Sequence, residues 1–131
     1  MFPIFDYDLD KTLQIESMYD HHFDVLGIRV VGGYKYKESI ELEEGIILDF
    51  DENNVPVALE ILDASKVFKI PEKYYLTNRA ISMNICVSKE IIAVHLKVLV
   101  DIHDKKETMP LDLSTINDID APIMNTKLAT A

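Results

Sequence analysis

Between Gly45 and Lys66 the chain reads GIILDFDENNVPVALEILDASK, and the two-residue rhythm of this stretch restricts the fold more than anything else in the sequence. Ile46, Leu48 and Phe50 alternate with Ile47, Asp49 and Asp51, and after Asp-Glu-Asn-Asn the alternation resumes with Val55, Val57, Leu59 and Ile61. Side chains that change face at every residue belong to a strand with one apolar side, so the stretch predicts a β-hairpin. Asn54 can take positive φ at little cost and so fix the register of the turn. Leu48 and Phe50 then share a face with Val57 and Leu59. At Leu62-Asp63-Ala64-Ser65 the period changes, and Asp63 or Ser65 is placed to accept the free amides of a helix that starts there.

The flanking sequence continues the strand pattern. Residues 2–18 are ambiguous by spacing, since Leu13 and Ile15 suit a strand while Leu9 and Leu13 suit a helical turn. An echo favours strand: Tyr7-Asp8 before Leu13-Gln14-Ile15 resembles Tyr19-Asp20 before Leu26-Gly27-Ile28. Leu26, Ile28 and Val30 line one face of a strand ending at Gly32-Gly33, which permit a tight turn or bulge. Tyr34, Tyr36, Ile40 and Leu42 alternate with Lys35, Lys37, Ser39 and Glu41 in an antiparallel return strand with one wet face. Pro71 suits the first turn of a short helix that brings Tyr74, Tyr75 and Leu76 into the packing. Ile81 to Val87 and Ile92 to Ile102 are strands, Asp104 to Glu107 a turn, and Met109, Leu111 and Leu113 another strand. Beyond Asn117 no period survives, which predicts a weakly packed tail over 118–131.

The fold expected is therefore β-rich α+β, with antiparallel hairpins or a meander and one or two short helices after Asp63, in a single domain over 1–117 whose second β half covers 80–113. A shift of about fifty residues lays VLVDIHDKKETMPLDL over IILDFDENNVPVALEI, placing Val100 on Leu48, Ile102 on Phe50 and Leu111 on Leu59. The overlay admits an internal duplication, but any two amphipathic hairpins with loops of equal length would match as well.

The 131 residues are 48% hydrophobic and 27% charged, which is enough chain for one compact core. A formal charge of −10 opposes binding to nucleic acid or to an anionic membrane surface, both of which need a cationic footprint. The lone Cys86 precludes an internal disulfide and suits a reducing, cytoplasmic setting. The start MFPIFDYD lacks a secretory signal, and the longest apolar run, Ile91 to Val100, is interrupted by His95 and Lys97.

YDHHFDVLGIRV followed by ELEEGIILDFDENNVPVALEILDAS resembles the uncharacterised family known as domain of unknown function 2283. Its members read Tyr-Asp, then Asp-x-Leu-x-Ile, then Gly-Val/Ile-x-Leu-Asp, an acidic glycine-containing turn and Ile-Glu-Ile-Leu-Asp-Ala-Ser. The resemblance spans Tyr19 to Lys66, with Glu60-Ile61-Leu62-Asp63-Ala64-Ser65 as its most specific part. Asn54 replaces the usual turn glycine, and His21-His22 replace a Pro-acid pair. The family brings no established activity. Some members look like the small partner of a toxin-like neighbour, so the resemblance implies a binding role of an antitoxin-like kind.

Few residues suggest chemistry. Asp20, His21, His22 and Asp24 are the densest group of metal-capable side chains, but a metal site needs three or four converging donors and adjacent strand residues point apart. His95, Asp101 and His103 share strand parity; on a concave, partly dry face Asp101 could orient His103 for acid-base work, and on an open sheet they are a solvated group. Asp49, Asp51 and Glu60 read as surface carboxylates that discourage edge pairing, with Asp63 a helix cap. Neither Cys86 nor Ser65, Ser88 or Ser114 lies in a nucleophile motif, and Gly32-Gly33 is too short to cradle a phosphate. No catalytic residue, cofactor or metal is assigned. The expectation is a non-catalytic interaction module, self-associating or bound to a partner protein, with a small-molecule or metal-binding protein, conceivably a hydrolase, using His95, Asp101 and His103 as the alternative.

Overall fold

The computed structural model describes residues 12–77 and 79–131. These residues form nine strands: β1 (Thr12–Asp20), β2 (Val25–Val30), β3 (Tyr36–Glu43), β4 (Ile46–Asp51), β5 (Pro56–Ile61), β6 (Ala80–Val87), β7 (Ile91–Ile102), β8 (Lys105–Ile116) and β9 (Met124–Thr130). Between β5 and β6 lie one helical turn, α1 (Ala64–Val67), and a 3-10 turn at Lys73–Leu76. The strands make one mixed sheet in the order β3-β4-β5-β2-β1-β9-β6-β7-β8, antiparallel throughout except where β1 meets β9. Its outermost strands, β3 and β8, approach to within 8 Å between Cα atoms without sharing a ladder. The sheet therefore curls around a common core, in which Leu26, Leu48, Phe50, Leu59 and Ile61 pack with Ile85, Ile92, Leu96 and Leu128.

The central hairpin forms as its alternation requires. Leu48 lies across from Leu59, Phe50 is wholly buried, and Asn54 has φ 62°. The Asp51 carboxylate holds the turn by accepting the amides of Asn53 at 2.8 Å and Val55 at 2.9 Å. The chain is β-rich with mostly antiparallel strands, and α1 begins directly after Asp63.

Four expectations change. The tail beyond Asn117 contains β9, which is hydrogen-bonded on both sides, to β1 and to β6, with Leu128 only 1% exposed. Its inward residues Met124, Thr126, Leu128 and Thr130 mix polar with apolar, so ladder partners rather than an apolar stripe hold it in place. The turn after β7 is the tight pair His103-Asp104, with φ 52° and 64°, the geometry of a two-residue hairpin turn, so Lys105 to Glu107 belong to β8. In β3 a bulge between Tyr36 and Glu38 reverses parity, leaving Tyr36 58% exposed. The proposed duplication is not reproduced by the pairing: Leu48 faces Leu59, whereas Val100, its counterpart in the overlay, faces Glu107. The Tyr7-Asp8 half of the echo lies outside the described residues.

No helix of the described residues is long and apolar enough to cross a membrane. Because β9 joins the two parts of the sheet, Leu128→Ala is expected to lower the free energy of unfolding by about 2–5 kcal/mol, as for other fully buried leucines, and removal of residues 118–131 to abolish the cooperative transition; urea denaturation followed by circular dichroism measures both.

Candidate functional site

The segment between β1 and β2 gathers the most unusual polar chemistry. The Asp20 carboxylate accepts the amides of His22 at 2.9 Å and Phe23 at 3.1 Å and so turns the chain. Asp24 closes the turn at φ 56°, and it is the buried charged side chain among the described residues, at 5% exposure. Its Oδ1 accepts the Tyr19 hydroxyl at 2.5 Å and the Ser65 amide at 3.0 Å, its Oδ2 accepts the Ser65 hydroxyl at 2.6 Å, and its backbone carbonyl accepts the Ala64 amide at 2.9 Å.

Two of those donors are first-turn amides of α1, so Asp24 caps the helix from 41 residues upstream. Asp63 does not. It occupies the N-cap position in left-handed geometry, φ 52° and ψ 42°, and its side chain makes no capping bond; the side-chain cap of a helix ordinarily needs an extended residue there. Burial acts to raise the Asp24 carboxyl, but hydrogen bonds from the Ser65 and Tyr19 hydroxyls and the Ser65 amide, helped by the charge of Lys73, hold it below the usual carboxylate value. The Tyr19 phenol is pushed up by burial, by its bond to Asp24 and by the charges of Asp24 and Asp20. Tyr19, Asp24 and Ser65 thus form a clamp between the β1–β2 turn and the end of the central hairpin. The Ser65 hydroxyl is spent on a carboxylate and is not poised as a nucleophile.

The histidines do not converge. His21 Nε2 lies 2.8 Å from the Thr77 hydroxyl and its ring meets Tyr19 edge-on, while His22 packs edge-on against Phe23. Among the described residues no three His, Cys, Asp or Glu side chains are grouped to hold a metal ion. His95 pairs across strands with Asp112, Nδ1 to Oδ1 2.8 Å, not with Asp101 or His103. Asp101 faces Lys106, and His103 sits in the hairpin turn, roughly 26 Å from His95 at about 3.3 Å per strand residue. The shared parity was legible, but distance along the strand separates His95 from Asp101 and His103. Asp49 accepts the Ser39 hydroxyl at 2.6 Å, and the half-buried Cys86 thiol contacts Asn125 Oδ1 at 3.6 Å.

Two clefts on the outer face of the sheet bear on the functional site. One, of about 310 Å³, lies over Gly27 and Ala58 and is rimmed by Glu16, Arg29, Tyr34, Asp49 and Glu60. Burial raises the Tyr34 phenol, the Asp49 charge adds to this, and Arg29 opposes it. The other, of about 390 Å³, is bordered by Ser82, Asn84, His95, Lys97 and Lys127, and Asn84 Oδ1 is buried there without a hydrogen-bond partner among the described residues.

Sequence spacing had placed Asp24 only among loop metal candidates, and its role as a cap was missed. Ser65→Ala is expected to remove about 1.5–3 kcal/mol of stability, the usual worth of a hydrogen bond to a charged group, and to couple non-additively with Tyr19→Phe in a double-mutant cycle by more than about 0.5 kcal/mol. A depressed folded-state carboxyl stabilises fully above the unfolded value and loses that contribution as pH falls. Acid titration of unfolding should therefore show wild type losing more stability than Asp24→Asn below the ordinary value of 3.8.

Residues 18–65 match the model of the family described as Protein of unknown function (DUF2283). The chain is 36% identical over 108 residues to a Methanosarcina mazei protein named "Putative hypoxanthine phosphoribosyltransferase", across 82% of this chain and 87% of that one. It is 32% identical over 109 residues to an uncharacterized protein of Methanocaldococcus jannaschii, across 79% of this chain and 91% of that one. No solved structure matches the chain significantly. The matched segment begins one residue before Tyr19 and ends at Ser65, so the complete clamp lies within it, and with these archaeal relatives the chain belongs to the DUF2283 family of proteins of unknown function.

Proposed function

We propose that the protein is a non-catalytic interaction module that associates with a second copy of itself. The observation that carries this reading is the set of large apolar side chains left in water: Met18 and Phe23 at 70% exposure, Ile116 at 71% and Ile123 at 77%. Ile116 lies directly across from the exposed Ile91 at one end of β8, an outer strand of the sheet. Exposed apolar groups beside an open edge favour protein contact. The opposite end of β8 carries Lys105, Lys106 and Glu107, and Pro110 removes an amide donor, features that discourage strand addition there. The isoleucine end is the part of the strand suited to association.

The distinctive polar residues support the same reading, because Tyr19, Asp24 and Ser65 spend their hydrogen-bonding capacity on one another and on α1. A charge of −10 disfavours nucleic acid as the partner, and the lone Cys86 suits the cytoplasm. The activity named for the M. mazei relative has no counterpart in this geometry: phosphoribosyl transfer needs a lined polyphosphate cradle, and the two helical turns of the described residues, four residues each, offer no such helix N-terminus. The alternative hydrolase reading needs His95 beside Asp101 and His103, whereas His95 pairs with Asp112.

Sedimentation velocity from micromolar to tens of micromolar protein tests the proposal. Wild type is expected to shift from monomer to dimer with concentration, and Ile116→Lys to remain monomeric with its unfolding free energy within about 0.5 kcal/mol of wild type. A wild-type monomer across the whole range would overturn self-association.

A further inference from the structure

Gly27 stands in the middle of β2, between Met18 of β1 and Glu60 of β5, with ladders on both sides. Glycine weakens a strand interior, and where it occurs it often marks a close approach by another group. Here neither backbone strain nor crowding demands it. Its φ lies outside the left-handed region, and a Cβ would meet nothing nearer than the Met18 carbonyl at 3.8 Å, an ordinary contact. What the missing side chain leaves is the floor of the 310 Å³ cleft.

The surroundings of that floor define what it can hold. Ala58, between Arg29 on one side and Asp49 on the other, continues it with another small residue. Tyr34 supplies an aromatic wall: the loop before β3 turns at Gly32 and Gly33, with φ 97° and 83°, and the half-buried phenol comes under the influence of Asp49 and Arg29. Three carboxylates and one guanidinium line the cleft. Arg29 is engaged by Glu16 at 3.0 Å, which leaves Asp49 and Glu60 without a cationic partner among the described residues. An apolar floor suits an aliphatic stem, an aromatic wall and two carboxylates suit its charged end, and the net charge of −10 draws a cationic protein toward the surface.

We propose that the cleft over Gly27 receives the lysine or arginine side chain of a basic segment on a separate partner protein. The basic end group meets Asp49 and Glu60, its stem lies on Gly27 and Ala58, and Tyr34 flanks it. The exposed Met18 also borders this cleft, but the site lies on β2 and its neighbours, away from the Ile91–Ile116 pair, so it does not depend on association through that pair.

Fluorescence anisotropy with blocked, labelled peptides alternating glycine with lysine, with arginine or with glutamate tests it. Wild type is expected to bind the lysine or the arginine peptide and not the glutamate one. Gly27→Val, which fills the floor with a strand-favouring residue, should weaken binding at least about tenfold while the melting temperature holds or rises. The pair Asp49→Asn with Glu60→Gln should weaken it similarly, and the remote pair Glu43→Gln with Glu107→Gln should have little effect. Binding must persist in Ile116→Lys, which separates this site from the dimer. If Gly27→Val fails to fold, Gly27→Ala, whose Cβ has room, must still weaken binding. The proposal is overturned if neither basic peptide binds, if the folded Gly27 variant binds as wild type does, or if both carboxylate pairs matter equally, which would mean that affinity follows total charge alone.

Discussion

The structure depends on four consecutive parallel pairings, Thr12 with Lys127 through Ile15 with Thr130. On one side of this ladder lies a five-stranded group, β3-β4-β5-β2-β1, and on the other a four-stranded group, β9-β6-β7-β8. Each group is built mainly of hairpins and neighbouring strands. The ladder unites them, since Ile15 and Leu128 bring the two sets of apolar side chains into a common core. It also joins the first described strand to the last, so the longest loop closure in the chain is compensated only when both groups are in place.

A second constraint acts within the five-stranded group. A buried carboxylate is tolerated only when its oxygens are satisfied, and Asp24 meets that requirement with two hydroxyls and an amide from either side of the hairpin. Within the segment that matches the family, Tyr19, Asp24 and Ser65 fix how the β1–β2 turn sits on α1. What the surface presents is set by other residues, such as Ile116 on β8 and Gly27 on β2, and these carry the functional reading.

The sequence disclosed those features whose cause is local. Alternation from Ile46 to Ile61 and a positive φ at Asn54 arise from neighbouring residues, so the hairpin and the helical turn after it could be read directly. β9 could not, because Thr126 and Thr130 share the inward face with Leu128 and the strand exists through ladder partners that lie far away in sequence, from Val87 paired with Met124 to Thr12 paired with Lys127. The Asp24 cap reaches across 41 residues and leaves no spacing signal at α1. Parity placed His95 on the outer face, but its companion, Asp112, comes from the strand alongside rather than from further along β7. A bulge between Tyr36 and Glu38 was enough to turn Tyr36 to solvent and, before it, Tyr34 lines the outer cleft, while Ile40 and Leu42 keep the inward face that the alternation gives them. Gly27 looked like one more strand position, because an unfilled space has no residue to announce it.

Among the described residues no ladder joins β3 to β8, which leaves the curled sheet with a seam. Among the described residues the strands bordering that gap pair with one neighbour instead of two, whereas β1 and β9 are gripped on both sides. Thermal opening would start there and unzip inward, so that solvent deuterium reaches the outer strands well before the paired middle. The polypeptide is in this sense a garment fastened at its centre and loose at its hem, able to breathe at the margin while its interior stays shut.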